Sequence, residues 1–297
     1  MHILISGASG LIGSRLGAHL EVLGHRVTRL VRRHSNANEI SWNPTSGHLN
    51  PADIEGVDAV VNLSGASIAE KRWTKPYKKE ILDSRVQSTT LLATTIASLK
   101  AKPQVFLSGS AIGIYGDRSD EVLNESSPLG NSFMSDVCKQ WESAASPAIA
   151  AGIRTAFLRT GIVLTPTGGA LKKQLPLFKF GLGGKFASGE QWQSWITLDD
   201  EVRAIEFLLT TQVNGAVNLT APNPVTNSEF TKTLARVLHR PAVLPIPSFG
   251  PKLLLGRELA ESLLFSGQKV IPSVLASQGF IFTHERLEEA LRSLLHK

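Results

Sequence analysis

Cysteine is almost missing from this chain: Cys138 is the only one in 297 residues, which excludes an intramolecular disulfide and any cysteine-rich zinc site. The eight histidines contain no HxH or HxxxH pair, so no metal site is expected. No run approaches 18 consecutive apolar residues, and no basic segment followed by a cleavable apolar stretch opens the chain. The expectation is therefore a cytoplasmic protein in a reducing compartment, with no membrane partner. Lys and Arg exceed Asp and Glu by six charges without gathering into a basic run. A phosphate-bearing small molecule accounts for that excess as well as nucleic acid does, and no nucleic acid is expected. Tyrosine is scarce as well. Tyr77 is followed four residues on by Ile81 and Tyr115 by Ser119, so no tyrosine has a lysine at that spacing.

What is present is the composition of a packed globular protein, 42% hydrophobic and 19% charged, long enough for two unequal lobes. Residues 1–6 (MHILIS) form an apolar run that stops at GASGLIG. Leu11, Leu16, Leu20 and Leu23 then recur at helical spacing up to Gly24, and a β-rich run follows at 25–31 (HRVTRLV). This is a βαβ unit of about 30 residues. In it Gly7 permits a tight turn, Gly10 lets the backbone approach a pyrophosphate, and Gly13 lets the helix pack closely on the strand. The helix N-terminus offers its unpaired N–H groups to the anion.

An NAD-preferring site usually ends its second strand in Asp or Glu, which takes the ribose 2′-hydroxyl. Here Val31, Arg32 and Arg33 stand instead. An arginine there can hold a 2′-phosphate by charge-assisted bonds, which favours NADP(H); the competing reading is a pair of solvated surface arginines.

Further strands are expected at 58–62 (DAVVN), 104–108 (QVFLS) and 155–159 (TAFLR), with helices opening at Thr74 and Pro76 and spanning 132–150. This alternation argues a Rossmann-type, doubly wound parallel sheet. The small residues of LSGAS after Asn62 would let a cofactor lie against the backbone. Asp199 and Asp200 read as the N-cap and first turn of a helix running through Leu208. Helical patterns at 227–238, 253–265 and 285–295 suggest a smaller, mostly helical C-terminal lobe. The expected division is a cofactor-binding domain over residues 1–165, rejoined by segments at about 190–222, and a substrate-binding lobe over 166–297.

At this point the chain resembles the extended short-chain dehydrogenase/reductases, the NAD(P)-dependent epimerase/dehydratase superfamily. The matching pieces are GASGLIG at 7–13, NLSGA at 62–66, SRVQSTTLL at 84–92, LSGSAIGIYGD at 107–117 and FLRTGIVL at 157–164. More narrowly it is similar to an "epimerase family protein" branch, through KRWT at 71–74, CKQWE at 138–142, PLFKFGLGGKFASGEQWQSWI at 176–196, GQKVIP at 267–272 and QGFIF at 278–282. The resemblance implies cofactor contacts at Gly7, Ser9, Gly10, Leu11, Ile12, Gly13, Arg32, Leu63, Ser64, Glu80, Arg85, Ser108 and Val163.

In that superfamily a tyrosine is the acid/base, a lysine four residues on lowers its pKa, and a serine orients the substrate oxygen. Aligned on Glu142, this chain carries Met134 and Cys138 at the tyrosine and lysine positions, and neither side chain can do that chemistry. Cys138 reads as a packed core thiol in preference to a nucleophile, since burial within a helix raises its pKa. Lys139 points about a quarter-turn away. Ser110 and Tyr115 are the remaining catalytic candidates, with packing an equal reading for Tyr115. Gln191, Trp192 and Trp195, in a glycine-rich loop, are substrate candidates because indoles stack on flat or sugar-like faces. A histidine usual after the Trp-Ile pair is replaced by Thr197. The expected function is an NADP(H)-binding oxidoreductase or epimerase-like enzyme acting on a small or sugar-like substrate. The alternative is a non-catalytic NADP(H)-binding regulator, and the oligomeric state is left open, a homodimer included.

Overall fold

Leucine-rich and β-branched runs take turns with amphipathic ones along the chain. In the computed structural model, which describes residues 1–242 and 244–296, they become strands and helices in alternation. β1 (His2–Ser6), α1 (Leu11–Val22) and β2 (Arg26–Val31) form the opening βαβ unit, followed by β3 (Glu39–Ser41), a short strand with no strong sequence pattern. β4 (Ala59–Asn62), α2 (Lys75–Ser98) and β5 (Val105–Ala111) come next, then β6 (Val122–Leu123), α3 (Phe133–Ser143), α4 (Ser146–Ala150) and β7 (Arg154–Thr160). The second part runs through β8 (Ile162–Leu164), α5 (Gly169–Lys179), β9 (Trp192–Gln193), β10 (Trp195–Thr197), α6 (Leu198–Thr210), β11 (Gly215–Leu219) and β12 (Val225–Thr226). It closes with α7 (Asn227–Leu238), α8 (Phe249–Leu255), α9 (Arg257–Ala260), β13 (Lys269–Val270), α10 (Ser273–Ser277) and α11 (Leu287–Leu295).

Seven strands make one sheet in the order β11-β7-β5-β4-β1-β2-β3, and every neighbouring pair is parallel. A parallel sheet must be covered on both faces. One face packs Ile3, Ile5 and Leu107 against α1 and α6 through Leu16, Leu20, Val202 and Ile205. The other packs Leu4, Val60 and Phe106 against α2 and α4 through Leu92, Ile96 and Ala148. A separate cluster joins α5, α7 and α11 through Leu171, Phe178, Phe230, Leu234 and Leu291. From β1 the chain builds outward in one direction through β2 and β3, and from β4 in the other through β5, β7 and β11. Between β1 and β4 it therefore leaves a crevice at the strands' C-terminal ends, the place where open α/β sheets hold ligands.

Three local expectations are corrected. The helix expected over 132–150 is two helices, because Pro147 has no N–H to give and sits in the first turn of α4. The pattern at 253–265 is divided into α8, α9 and a π-helical turn over Glu261–Phe265, with Gly256 at φ +89° between the first two. The N-cap of α6 is Thr197, whose hydroxyl accepts from Asp200 N–H at 3.2 Å, so Asp199 and Asp200 both lie inside the first turn.

Candidate functional site

The turn after β1 leaves no room for a side chain. Gly7 has φ +70°, and a Cβ there would stand 2.5 Å from the carbonyl of Leu63, at the end of β4; a Cβ on Gly13 would stand 2.3 Å from Gly7 O. Gly10 caps α1, whose first turn holds no acidic residue, so the helix N-terminus faces the crevice uncompensated. Asn62 fastens the opposite wall: it accepts from Ser6 Oγ at 2.6 Å and from Ser64 N–H at 3.3 Å, and donates to Thr89 at 2.7 Å.

Between these walls runs a groove of about 940 Å³. Of the expected cofactor contacts, Gly7, Ser9, Gly10, Arg32, Leu63, Ser64 and Glu80 line it. The basic residues beside it divide sharply. Arg29 pairs with Glu21 at 2.7 Å, and Arg33 grips both oxygens of Glu39 at 2.7 and 2.8 Å, holding that carboxyl below its usual range. Arg32 is exposed on the groove and, among the described residues, takes part in no ion pair. Of the three arginines lining the groove it is the one without an ion pair; Lys71, which also lines it, has its ammonium 5.3 Å from the centroid of the Tyr77 ring.

The other expected contacts sit behind the groove wall. Leu11 packs where a Cβ on Gly168 would lie, and Ile12 and Val163 pack against the sheet core. Ser108 is fully buried, with no partner for its hydroxyl. Arg85 is buried in the floor, its guanidinium 3.0 Å from the position of a Gly65 Cβ and 5.0 Å over the Trp141 ring. Burial lowers its pKa.

A smaller cavity of about 250 Å³ adjoins the groove, since Ser67 lines one and its neighbour Ile68 lines the other. Its walls come from the ends of β5 and β7 (Ala111, Thr160, Gly161), from Met134, from Gln191 to Ser194, and from Leu263, Leu264 and residues 266–268 in the C-terminal part. Met134, at the position of the missing tyrosine, thus faces the cavity with a thioether. Cys138 is fully buried, and burial pushes its thiol up to about 12 despite the nearby Arg85. Lys139 pairs with Asp136 at 3.4 Å on the exposed side of α3.

The two catalytic candidates lie in neither cavity wall. Tyr115 is 0% exposed; its hydroxyl donates to Asn218 Oδ1 at 2.7 Å and accepts from Arg159 at 3.0 Å, and burial raises its pKa. Ser110 donates to Glu142 at 2.7 Å, and Glu142 holds Arg159 through both oxygens at 2.8 and 2.9 Å. Burial opposes the Arg159 charge, but Glu142 outweighs it and the pKa is raised. Candidate acid and candidate serine are therefore tied into one buried network linking β5, β7, α3 and β11. Arg159 stands in the sequence only as the end of a strand run, and Glu142 only as an alignment landmark.

The substrate candidates separate in the same way. Gln191 and Trp192 line the cavity, Gln191 donating to Leu264 O at 2.6 Å and Trp192 donating to Asp120 at 2.7 Å beneath the Lys269 ammonium. Trp195 is 0% exposed in the core and donates to Asn223 O, so its indole cannot stack on a ligand. Two residues the sequence left unmarked meet here: Thr160, in the cavity wall, donates to Glu201 at 2.8 Å, and Glu201 stands behind it, 0% exposed in the first turn of α6. Among the described residues no three His, Cys, Asp or Glu cluster as metal ligands would, and no helix is long and apolar enough to cross a membrane.

Comparison with known proteins agrees with this fold. The model of the NAD dependent epimerase/dehydratase family matches residues 3–220, and a domain of unknown function (DUF1731) matches residues 246–294. The chain is 44% identical over 291 residues to an epimerase family protein of Mycobacterium bovis, covering 97% of this chain and 96% of the relative. It is similar to the crystal structure of human epimerase family protein SDR39U1 with NADPH, at 32% identity, a TM-score of 0.90 and full coverage of both chains. It is similar also to a nucleoside-diphosphate sugar epimerase from Corynebacterium glutamicum, at 34% identity and a TM-score of 0.81, covering 99% of this chain and 58% of that one.

Proposed function

The chain belongs to the NAD dependent epimerase/dehydratase family, and on that footing we propose that it binds NADP(H) and performs oxidoreductase or epimerase-type chemistry on a small or sugar-like carbonyl or alcohol. The observation that carries this reading is the meeting of a dinucleotide-sized groove and a small cavity at Ser67 and Ile68. The groove fits the cofactor: Gly7 keeps its wall free of a Cβ, α1 offers its N-terminus to a pyrophosphate, and Arg32 is the uncommitted arginine suited to a 2′-phosphate. Bound there, NADP(H) supplies or takes a hydride. The chain's own residues hold its phosphates, confine the reacting group and exclude water.

The substrate class is supported by the cavity's mixed walls, with Trp192 and Gln193 beside Gln268 and Ser262. The Corynebacterium relative, named for a nucleoside-diphosphate sugar, points the same way. Screening the purified protein with NADPH against carbonyl and sugar-nucleotide panels should show cofactor oxidation with at least one compound.

One observation favours a second reading. Ser110 and Tyr115 are both committed to the buried network, and Met134 and Cys138 replace the usual pair. A protein that binds NADPH with intact affinity and stays silent across those panels would be the non-catalytic regulator.

A further inference from the structure

Among the described residues two carboxylates have no exposed surface, Asp200 and Glu201. Asp200 is fully engaged: it bonds Arg203 at 2.7 Å and accepts from the backbone N–H groups of Thr283 and His284. Glu201 has no cation. Oε1 accepts from Thr160 Oγ1 at 2.8 Å, and Oε2 is buried with no partner. An ionised carboxylate is costly to bury in that condition, so burial pushes its pKa up to about 8, against the opposing Thr160 bond. The acid therefore holds its proton at neutral pH.

Thr160, the last residue of β7, stands in the wall of the small cavity together with Met134. We propose that Thr160 and Glu201 form a proton relay that serves the small cavity in place of the missing tyrosine and lysine. The inference rests on the enzymatic reading above. With Glu201 protonated, the 2.8 Å contact runs in reverse, the carboxyl O–H donating to Thr160 Oγ1 and freeing the Thr160 proton for a third oxygen.

Reduction of a carbonyl in the cavity requires a hydride at carbon, which bound NADPH supplies on becoming NADP⁺, and a proton at oxygen. Thr160 gives its hydroxyl proton to that oxygen as it takes the proton of Glu201. Glu201 is left as a carboxylate, and water entering after the alcohol leaves restores the proton through Thr160. In the oxidative direction each transfer reverses, with the carboxylate accepting.

The charged groups on the surrounding elements are occupied elsewhere or at a distance along the chain. On α1, Arg15 pairs with Asp199 of α6 at 3.0 Å and Glu21 with Arg29, while His19 lies in the last turn. On β7, Arg159 pairs with Glu142 and Arg154 donates to the carbonyls of Leu208, Leu209 and Val213. Further along α6, Arg203 belongs to Asp200, and Glu206 lies five residues beyond Glu201. β5, β8 and β10 carry no ionisable side chain.

The relay is tested on the full-length protein with the compound found to be reduced by NADPH, over pH 5.5 to 9.5. Wild-type kcat/KM should fall as pH rises through about 8, where Glu201 loses its proton. Glu201→Gln and Thr160→Val should each lower kcat/KM by about 100-fold and lose that limb, whereas Thr160→Ser should stay within a few-fold and keep it. NADPH affinity, read by calorimetry, should be unchanged in all three. Retention of wild-type kcat/KM and its pH limb in either Glu201→Gln or Thr160→Val overturns the relay and leaves the enzymatic reading standing. If Glu201→Gln does not fold, the contrast between Thr160→Val and Thr160→Ser decides. A wild-type protein that oxidises no NADPH with any compound overturns the enzymatic reading, and the relay with it.

Discussion

Tyr115 has the chemistry of a general acid and no access to a substrate. Its hydroxyl is shared between Asn218 and Arg159, and its ring lies under the Arg159 guanidinium at 5.2 Å. Tyr115→Phe should therefore cost about 1–3 kcal/mol of stability in urea denaturation, since it strands buried polar partners, while NADPH affinity by calorimetry stays at the wild-type value. Glu201 is the reverse case, an acid whose sequence position suggests nothing. In the first turn of a helix, beside Asp199 and Asp200, it reads as one more carboxylate complementing the dipole. What sets it apart is burial between α6 and the end of β7, a contact spanning 41 residues that no local pattern encodes. Linkage then fixes a sign. A carboxyl with a raised folded pKa stabilises the fold below its unfolded value, and that stability is lost as pH rises from the ordinary 4.5 to about 8. Melting curves across that window should show wild type losing stability relative to Glu201→Gln, with the gap constant above about 8.

Among the elements, the inner strands were the easiest to read. β1, β4, β5 and β7 lie deep in the parallel sheet and appear in the sequence as short apolar runs ended by small residues. β3 was missed because three residues, none fully buried, carry no such pattern. The single helix expected over 132–150 overlooked what Pro147 does to a helix, and the N-cap of α6 lies two residues before the expected Asp199 because Thr197 caps as well as an aspartate. The glycine loop was fully legible, because its constraint is steric and local. Gly7→Ala should lower the melting temperature and weaken NADPH binding at least ten-fold, since a Cβ at φ +70° would strike the Leu63 carbonyl. Retained affinity in Gly7→Ala, measured by calorimetry, would remove that turn from the cofactor site. The groove's other wall could be anticipated at Leu63 and Ser64, but Arg85 and Ser108 lie behind it because α2 and β5 pack closely there.

At the scale of the molecule, the reversal of strand order between β1 and β4 opens the groove. The later segments from β9 to β13 then close a second, smaller cavity against the ends of β5 and β7. That arrangement follows from the strand order of the sheet. The net charge of +6 is spread over the surface, so it does not itself select a ligand. The proposed selection rests on Arg32, which lines the groove flanked by two arginines whose charges are already spent on Glu21 and Glu39. Calorimetric titration of wild type and Arg32→Ala with NADPH and NADH therefore addresses the account at its centre. Wild type should bind NADPH at least ten-fold more tightly than NADH, and Arg32→Ala should lose most of that preference by weakening NADPH alone, as expected for a lost charge-assisted bond of about 1.5–3 kcal/mol. Equal affinity of wild type for the two cofactors, or a preference that survives in Arg32→Ala, would contradict it.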